Sequence, residues 1–184
     1  MKRTLILFSL IIISLITKAQ NDATLFLGIP MQGTKSSMIQ KLKEKGFTYN
    51  NQKDHLVGWF NDEKVYINII TQNQKIVEIL VTDINNRNRF EIIQRFNALV
   101  NQFETNNNYS FSFGKQRLPN NIEPAGKSAV FFQKDKQYKS LPDGNKRILI
   151  EIRKLNNMNP FAEPLYYIVL HYENNYNKSN GSDL

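Results

Sequence analysis

The chain has 184 residues, no cysteine, 24 basic against 16 acidic residues and a formal net charge of +8. Without a thiol it can form neither disulfide staples nor thiolate metal sites, and it has no cysteine nucleophile. Its stability must come from core burial, which a single domain of this length can supply.

Residues 1–20 have the anatomy of an export signal. Lys2 and Arg3 make a positive start, and Leu5 to Ile16 is an apolar run of 12 residues broken only by Ser9 and Ser14. Thr17 and Ala19 then place small residues before a cut after Ala19 or Gln20. A helix of 12 residues rises about 18 Å, well short of the roughly 30 Å hydrocarbon core, so the segment reads as cleaved and not as an anchor. With no cysteine at the cut, no lipid anchor is expected, and the protein should be periplasmic or secreted. Removing residues 1–20 from 184 leaves 164, and the loss of Lys2, Arg3 and Lys18 lowers the charge from +8 to +5. No later apolar run is long enough to span a bilayer, so no membrane span is expected after cleavage.

The mature chain reads as one α+β domain over 21–173 and a polar, disordered tail over 174–184. Leu25-Phe26-Leu27 suggests a short strand. Gly33 turns the chain, Thr34 caps a helix over Lys35 to Lys45 with Met38, Ile39 and Leu42 on one face, and Gly46 stops it before Phe47. Three strands follow, His55 to Phe60, Lys64 to Ile70 and Lys75 to Val81. Asn61-Asp62 and Gln72-Asn73-Gln74 join them as hairpins. In the third strand Ile76, Ile79 and Val81 leave the buried face undecided. Asn88 to Phe103 predicts a second helix with Ile92, Phe96, Leu99 and Phe103 at helical spacing, widened by Ile93 and Val100. Tyr109 to Phe113, Ala129 to Lys134, Arg147 to Lys154 and Leu165 to Tyr172 are the remaining strands. A long loop covers Gly114 to Lys127, and Pro142-Asp143-Gly144-Asn145 makes a turn. The order suggests two αβββ-like units, with an antiparallel sheet carrying both helices on one face.

The opening motif is Gly28, Pro30, Gly33, Thr34, Met38, Leu42, Gly46 and Phe47, followed by Gly58-Trp59-Phe60. It resembles that of a group of small exported bacterial proteins of unknown function. The element order is similar to that of the β-lactamase inhibitor protein and of small outer-membrane assembly lipoproteins, in which an αβββ unit serves as a binding platform. The resemblance implies a fold and a binding role, and it transfers no functional residue.

Catalytic signatures are missing. His55 and His171 share no H-x-H or H-x-x-x-H spacing, and Asp54 beside His55 should point to the other side of the strand. There is no G-x-S-x-G, and Ser36-Ser37 falls in a helix's first turn. The glycines are too widely spaced to cradle phosphate, and Asp135, Asp143 and Glu151 lack calcium-loop spacing. No metal and no cofactor are expected. Lys134, Lys136, Lys139, Lys146, Arg147, Arg153 and Lys154 surround the hairpin containing Tyr138. They read as an edge protected against aggregation, with no nucleic acid as partner. Aromatics remain. Trp59, Tyr138, Tyr166 and Tyr167 are the candidate binding residues, and of the adjacent Tyr166 and Tyr167 one must face away from the core. The expected function is a non-catalytic binding module of the bacterial envelope, inhibitor- or immunity-like, with a protein or envelope component as partner. The alternative is a small periplasmic hydrolase or glycan-binding protein using His55 or His171 with a carboxylate.

Overall fold

The computed structural model describes residues 23–111, 117–134, 142–156 and 161–178. A two-stranded hairpin, β1 (Leu25–Phe26) with β2 (Ile29–Pro30), precedes helix α1 (Lys35–Glu44). Strands β3 (Thr48–Asn50), β4 (His55–Phe60), β5 (Glu63–Gln72) and β6 (Lys75–Asp83) follow. Helix α2 (Arg89–Thr105) leads into β7 (Tyr109–Phe111), β8 (Ser128–Lys134), β9 (Pro142–Lys154) and β10 (Tyr166–Glu173), and a short 3₁₀ turn covers Asn175–Asn177. The eight strands β3 to β10 form one antiparallel sheet in the order β3-β4-β5-β6-β10-β9-β8-β7. The α+β class is therefore correct, but each helix precedes four strands: Thr48–Asn50 pairs with His55–Val57 as an extra edge strand after the first helix, and the four strands expected after the second are all present.

Local chemistry accounts for most element ends. The Thr34 hydroxyl accepts from the Ser37 amide at 3.3 Å and caps α1. At the other end Gly46, at φ 94°, donates to Lys43 O, and the Phe47 amide donates to Leu42 O at 3.1 Å. That pair of bonds is a Schellman motif, and it swings the buried Phe47 ring back against the sheet. Gly58 of β4 receives the ring, since a Cβ there would lie 2.3 Å from Phe47 Cδ1. In α2, Asn88 and Glu91 form a reciprocal capping box, and the buried stripe is Ile92, Ile93, Phe96, Leu99, Val100 and Phe103, as the spacing requires. The hairpins turn on two residues each: Asn61-Asp62 and Asn73-Gln74 all have positive φ, as type I′ demands.

Strand register explains the face that the spacing of β6 left open. Leu56, Ile67, Val81, Leu170, Ile150 and Ala129 lie directly opposite one another across six strands, and all are buried. Ile70 pairs with Glu78 and Thr71 with Ile76, so Val77 is the extra residue of a β-bulge. The bulge shifts the alternation by one and lets Ile76 and Ile79 both enter the core. The buried side chains of α1 and α2 join this same cluster, on one face of the sheet.

The sheet is strongly coiled. In a flat sheet, Phe60 and Tyr172 would be on the order of 20 Å apart along and across the strands. Their ring centroids are 6.5 Å apart. The residues after the expected cleavage site fill the space so enclosed. Ala23 and Thr24 are buried, the Thr24 hydroxyl donates to Glu173 O at 2.5 Å, and Phe26 lies 5.7 Å from the Phe60 ring and 4.9 Å from Tyr172. Gln133 acts as a substitute strand for Leu25, accepting from its amide at 2.7 Å and donating to its carbonyl at 2.6 Å. The start of the expected tail is also tied down. Asn174 is buried and donates to Met31 O at 2.8 Å, and Asn177 donates to Ile76 O at 2.8 Å. Side-chain amides take over the backbone partners that a continuing strand would have used, so Asn174 to Lys178 belongs to the fold.

Candidate binding face

Alternation along the strands places a second set of residues opposite the core. In β9 the core takes Ile148, Ile150 and Ile152, leaving Arg147, Leu149, Glu151 and Arg153 on the helix-free side. Their cross-strand neighbours are Val130 and Phe132 on β8, and Tyr167, Val169 and His171 on β10. Leu80 and Thr82 on β6, Tyr66 on β5 and Val57 on β4 continue the rows. Among the described residues no helix packs on this side. The apolar groups there are mostly half-buried by one another, while Trp59 at the end of β4 is 72% exposed.

The middle of this face holds a line of paired polar and charged side chains. His171 Nδ1 is 2.7 Å from Glu78 Oε1, and His171 Nε2 is 3.4 Å from Glu151 Oε2. Arg153 Nε donates to the same Glu151 oxygen at 2.8 Å. Farther along, Glu173 is shared by Arg147 at 2.6 Å and Lys178 at 3.2 Å. The two ring nitrogens of His171 address different carboxylates, so the three groups do not converge on a common point. Among the described residues no set of His, Asp or Glu is placed to hold a metal ion.

The hydrogen bond from His171 holds the Glu78 carboxyl below its usual range, against the opposing effect of partial burial. A carboxyl depressed in the folded state contributes stability above its unfolded pKa and loses it as pH falls through the folded value. The Glu78→Gln variant should therefore match the wild type more closely at about pH 3 than at pH 6, with the gap opening as pH rises from the depressed folded pKa and complete above about 4.3. Urea midpoints taken along that pH series measure it, and a gap that stays constant with pH would remove the tie from the account.

The expected site residues separate. Trp59 and Tyr167 are both on the helix-free side, on strands β4 and β10, with β5 and β6 between them. Tyr166 is 0% exposed and lies on the core side, away from this face, with its hydroxyl 3.1 Å from Glu123 Oε1. The alternation along β10 forces that outcome, since Tyr167 has the open side. Tyr138 lies outside the described residues, as do Lys136 and Lys139. The basic hairpin does not protect an edge, because β9 is flanked by β10 and β8, and the edge strands are β3 and β7. Arg147 and Arg153 are instead paired with carboxylates on the open face. His55 stacks near Tyr66, with ring centroids 4.6 Å apart, and does not meet His171. The Asp54 carboxylate turns away from His55, accepting from Lys35 at 2.6 Å and from the Tyr49 hydroxyl at 2.7 Å. Reading single aromatics missed Leu80, Leu149, Val130 and Phe132 as parts of this face. The alternating run Arg147 to Arg153 was the signal available for them.

No helix of the described residues is long and apolar enough to cross a membrane. Comparison with protein-family models, curated proteins and solved structures finds no match to this chain.

Proposed function

We propose that the chain is an exported, non-catalytic binding module of the bacterial envelope, periplasmic or secreted, that meets a protein partner through the helix-free face of its sheet. Export rests on the pattern of residues 1–20. The observation that carries the binding role is the surface itself, two neighbouring helix-free rows, Val57-Tyr66-Thr82-Val169 and Leu80-His171-Leu149-Val130, with the exposed Trp59 two residues beyond Val57 on β4. The carboxylates at its centre, Glu78, Glu151 and Glu173, already have partners, so covering them leaves few charges unpaired. Aromatic anchors beside satisfied polar groups are the usual make-up of an interface centre. The element order reads as one unit used twice, a helix and a four-stranded meander, joined through β6 and β10. Such a doubled platform fits an inhibitor- or immunity-like module.

The hydrolase alternative would rest on His171 with Glu78. His171 Nδ1 is held by Glu78, and Nε2, 3.4 Å from Glu151 without a hydrogen bond, is fully enclosed, so neither is open to a substrate. The pair is a tie between strands.

The test is capture from an envelope extract, comparing the wild type with Trp59→Ser. An exposed tryptophan can be removed within about 0.5 kcal/mol of stability, whereas an interface anchor is worth about 2 kcal/mol or more, roughly thirtyfold in affinity. A partner held by the wild type and lost on Trp59→Ser, at unchanged melting temperature, supports the reading. A partner held equally by both, or none at all, rejects it.

A further inference from the structure

A cavity of about 460 Å³ opens on the other side of the molecule, where the β1–β2 hairpin, the last turn of α2 and the β7–β8 pair meet. Leu27, Phe60 and Phe103 supply apolar walls, and Tyr109 and Tyr172 bring two phenol groups. Asn106, Asn108 and Lys134 stand at its rim, and no carboxylate among the described residues lines it.

Two independent features set this cavity apart from an accidental gap. Tyr172 is 4% exposed, it lines the cavity, and its hydroxyl makes no hydrogen bond among the described residues. The hydroxyl is not among the fully enclosed side-chain atoms that lack a partner, so it opens to the cavity, where a ligand or water can accept from it. Burial, with Tyr109 beside it, pushes the Tyr172 phenol well above its usual pKa, so it stays a neutral donor. The second feature is Leu27. It occupies the first central position of the β1–β2 turn at φ 51°, with Gly28 at 78°. Asparagine is the favoured residue there, and a leucine side chain in the left-handed region is strained. The strain presents an apolar side chain, 36% exposed, at the mouth of the cavity.

The chemistry selects the ligand. Apolar and aromatic walls take up a C–H face or a methyl group, and hydroxyl, amide and ammonium donors take acceptor oxygens. The C-terminal carbonyls of α2, with no basic residue in its last turn, offset Lys134 and disfavour an anion. We propose that this cavity binds a neutral N-acetylated sugar of one or two rings, its acetamido carbonyl accepting from the Tyr172 hydroxyl and its methyl lying against Leu27. The site is separate from the sheet face, and Trp59→Ser should leave it unchanged.

The test is an NMR titration of the purified protein with N,N′-diacetylchitobiose, using cellobiose as the control lacking acetamido groups. Diacetylchitobiose should shift the amides of Phe103, Tyr109 and Lys134 saturably, and cellobiose should not. Tyr172→Phe, which removes only the hydroxyl, should weaken binding about tenfold. Leu27→Asn relieves the strained turn, so it should raise the melting temperature by about 2–4 °C while weakening binding. A more stable Leu27→Asn that binds as well as the wild type would overturn Leu27's place in the site. The absence of saturable shifts up to about 10 mM, a Kd unchanged by Tyr172→Phe, or an equal response to cellobiose would each overturn the proposal.

Discussion

Phe26→Ala should cost about 3–5 kcal/mol, the range for removing a buried aromatic ring from a core that cannot collapse around the hole. Phe26 is fully buried immediately before the Leu27-Gly28 turn, packed on Phe60 and Tyr172. Those two rings come from β4 and β10, on either side of the central strands, so the hole would open where the coiled sheet closes on itself. Neighbouring bonds restrain the segment from moving in to fill it. Thr24 is held by Glu173 O, and Leu25 by both ends of the Gln133 amide. Urea unfolding at constant m gives the loss directly. A loss below about 1 kcal/mol would mean that the N-terminal segment covers the core and does not close it.

Asp83→Ala should be comparably damaging, about 3–5 kcal/mol, for an electrostatic reason. The Asp83 side chain is fully buried, with Oδ2 3.1 Å from Arg87 Nη1 and 3.2 Å from Arg95 Nε. Arg87 also meets Glu63, and its backbone pairs in both directions with Tyr166 at 2.8 Å. Arg95 comes from α2, so the carboxylate ties the helix to β6. Removing it leaves two nearly buried guanidiniums without their shared partner. Burial holds the Asp83 carboxyl above its usual range even beside those cations, a sign that desolvation outweighs their attraction. Burying the carboxylate therefore costs more than the cations return, and its removal hurts through what is left behind. Replacing both sides, Asp83→Leu with Arg95→Met, should recover most of the loss; a double variant as unstable as Asp83→Ala would contradict this account.

Local sequence was a good guide wherever neighbouring residues decide the conformation. The caps at Thr34 and Asn88, the Gly46 stop, the α2 stripe from Ile92 to Phe103 and the Asn61-Asp62 turn all depend on groups a few residues apart. The Leu25 segment was less legible. Its hairpin partner Ile29–Pro30 is too short for any periodicity, and its other partner is the side chain of Gln133, 108 residues away. The tail misled for the same reason. Asn174 and Asn177 look like solvated residues, yet they bind the backbone of Met31 and Ile76. In the candidate sites, Trp59 was visible as an aromatic in a hairpin. The His171 line and the Tyr172 cavity needed strands from both halves of the chain.

Taken alone, the sequence determined the helices, the tight turns, the absence of thiol chemistry and the alternation that makes every strand two-faced. Which face each strand turns inward was settled only in three dimensions, because register is a relation between residues far apart in the chain and a single bulge at Val77 reverses it. That relation buries Tyr166 and leaves Tyr167 half-exposed. It also coils the sheet until Phe60 and Tyr172 meet over Phe26.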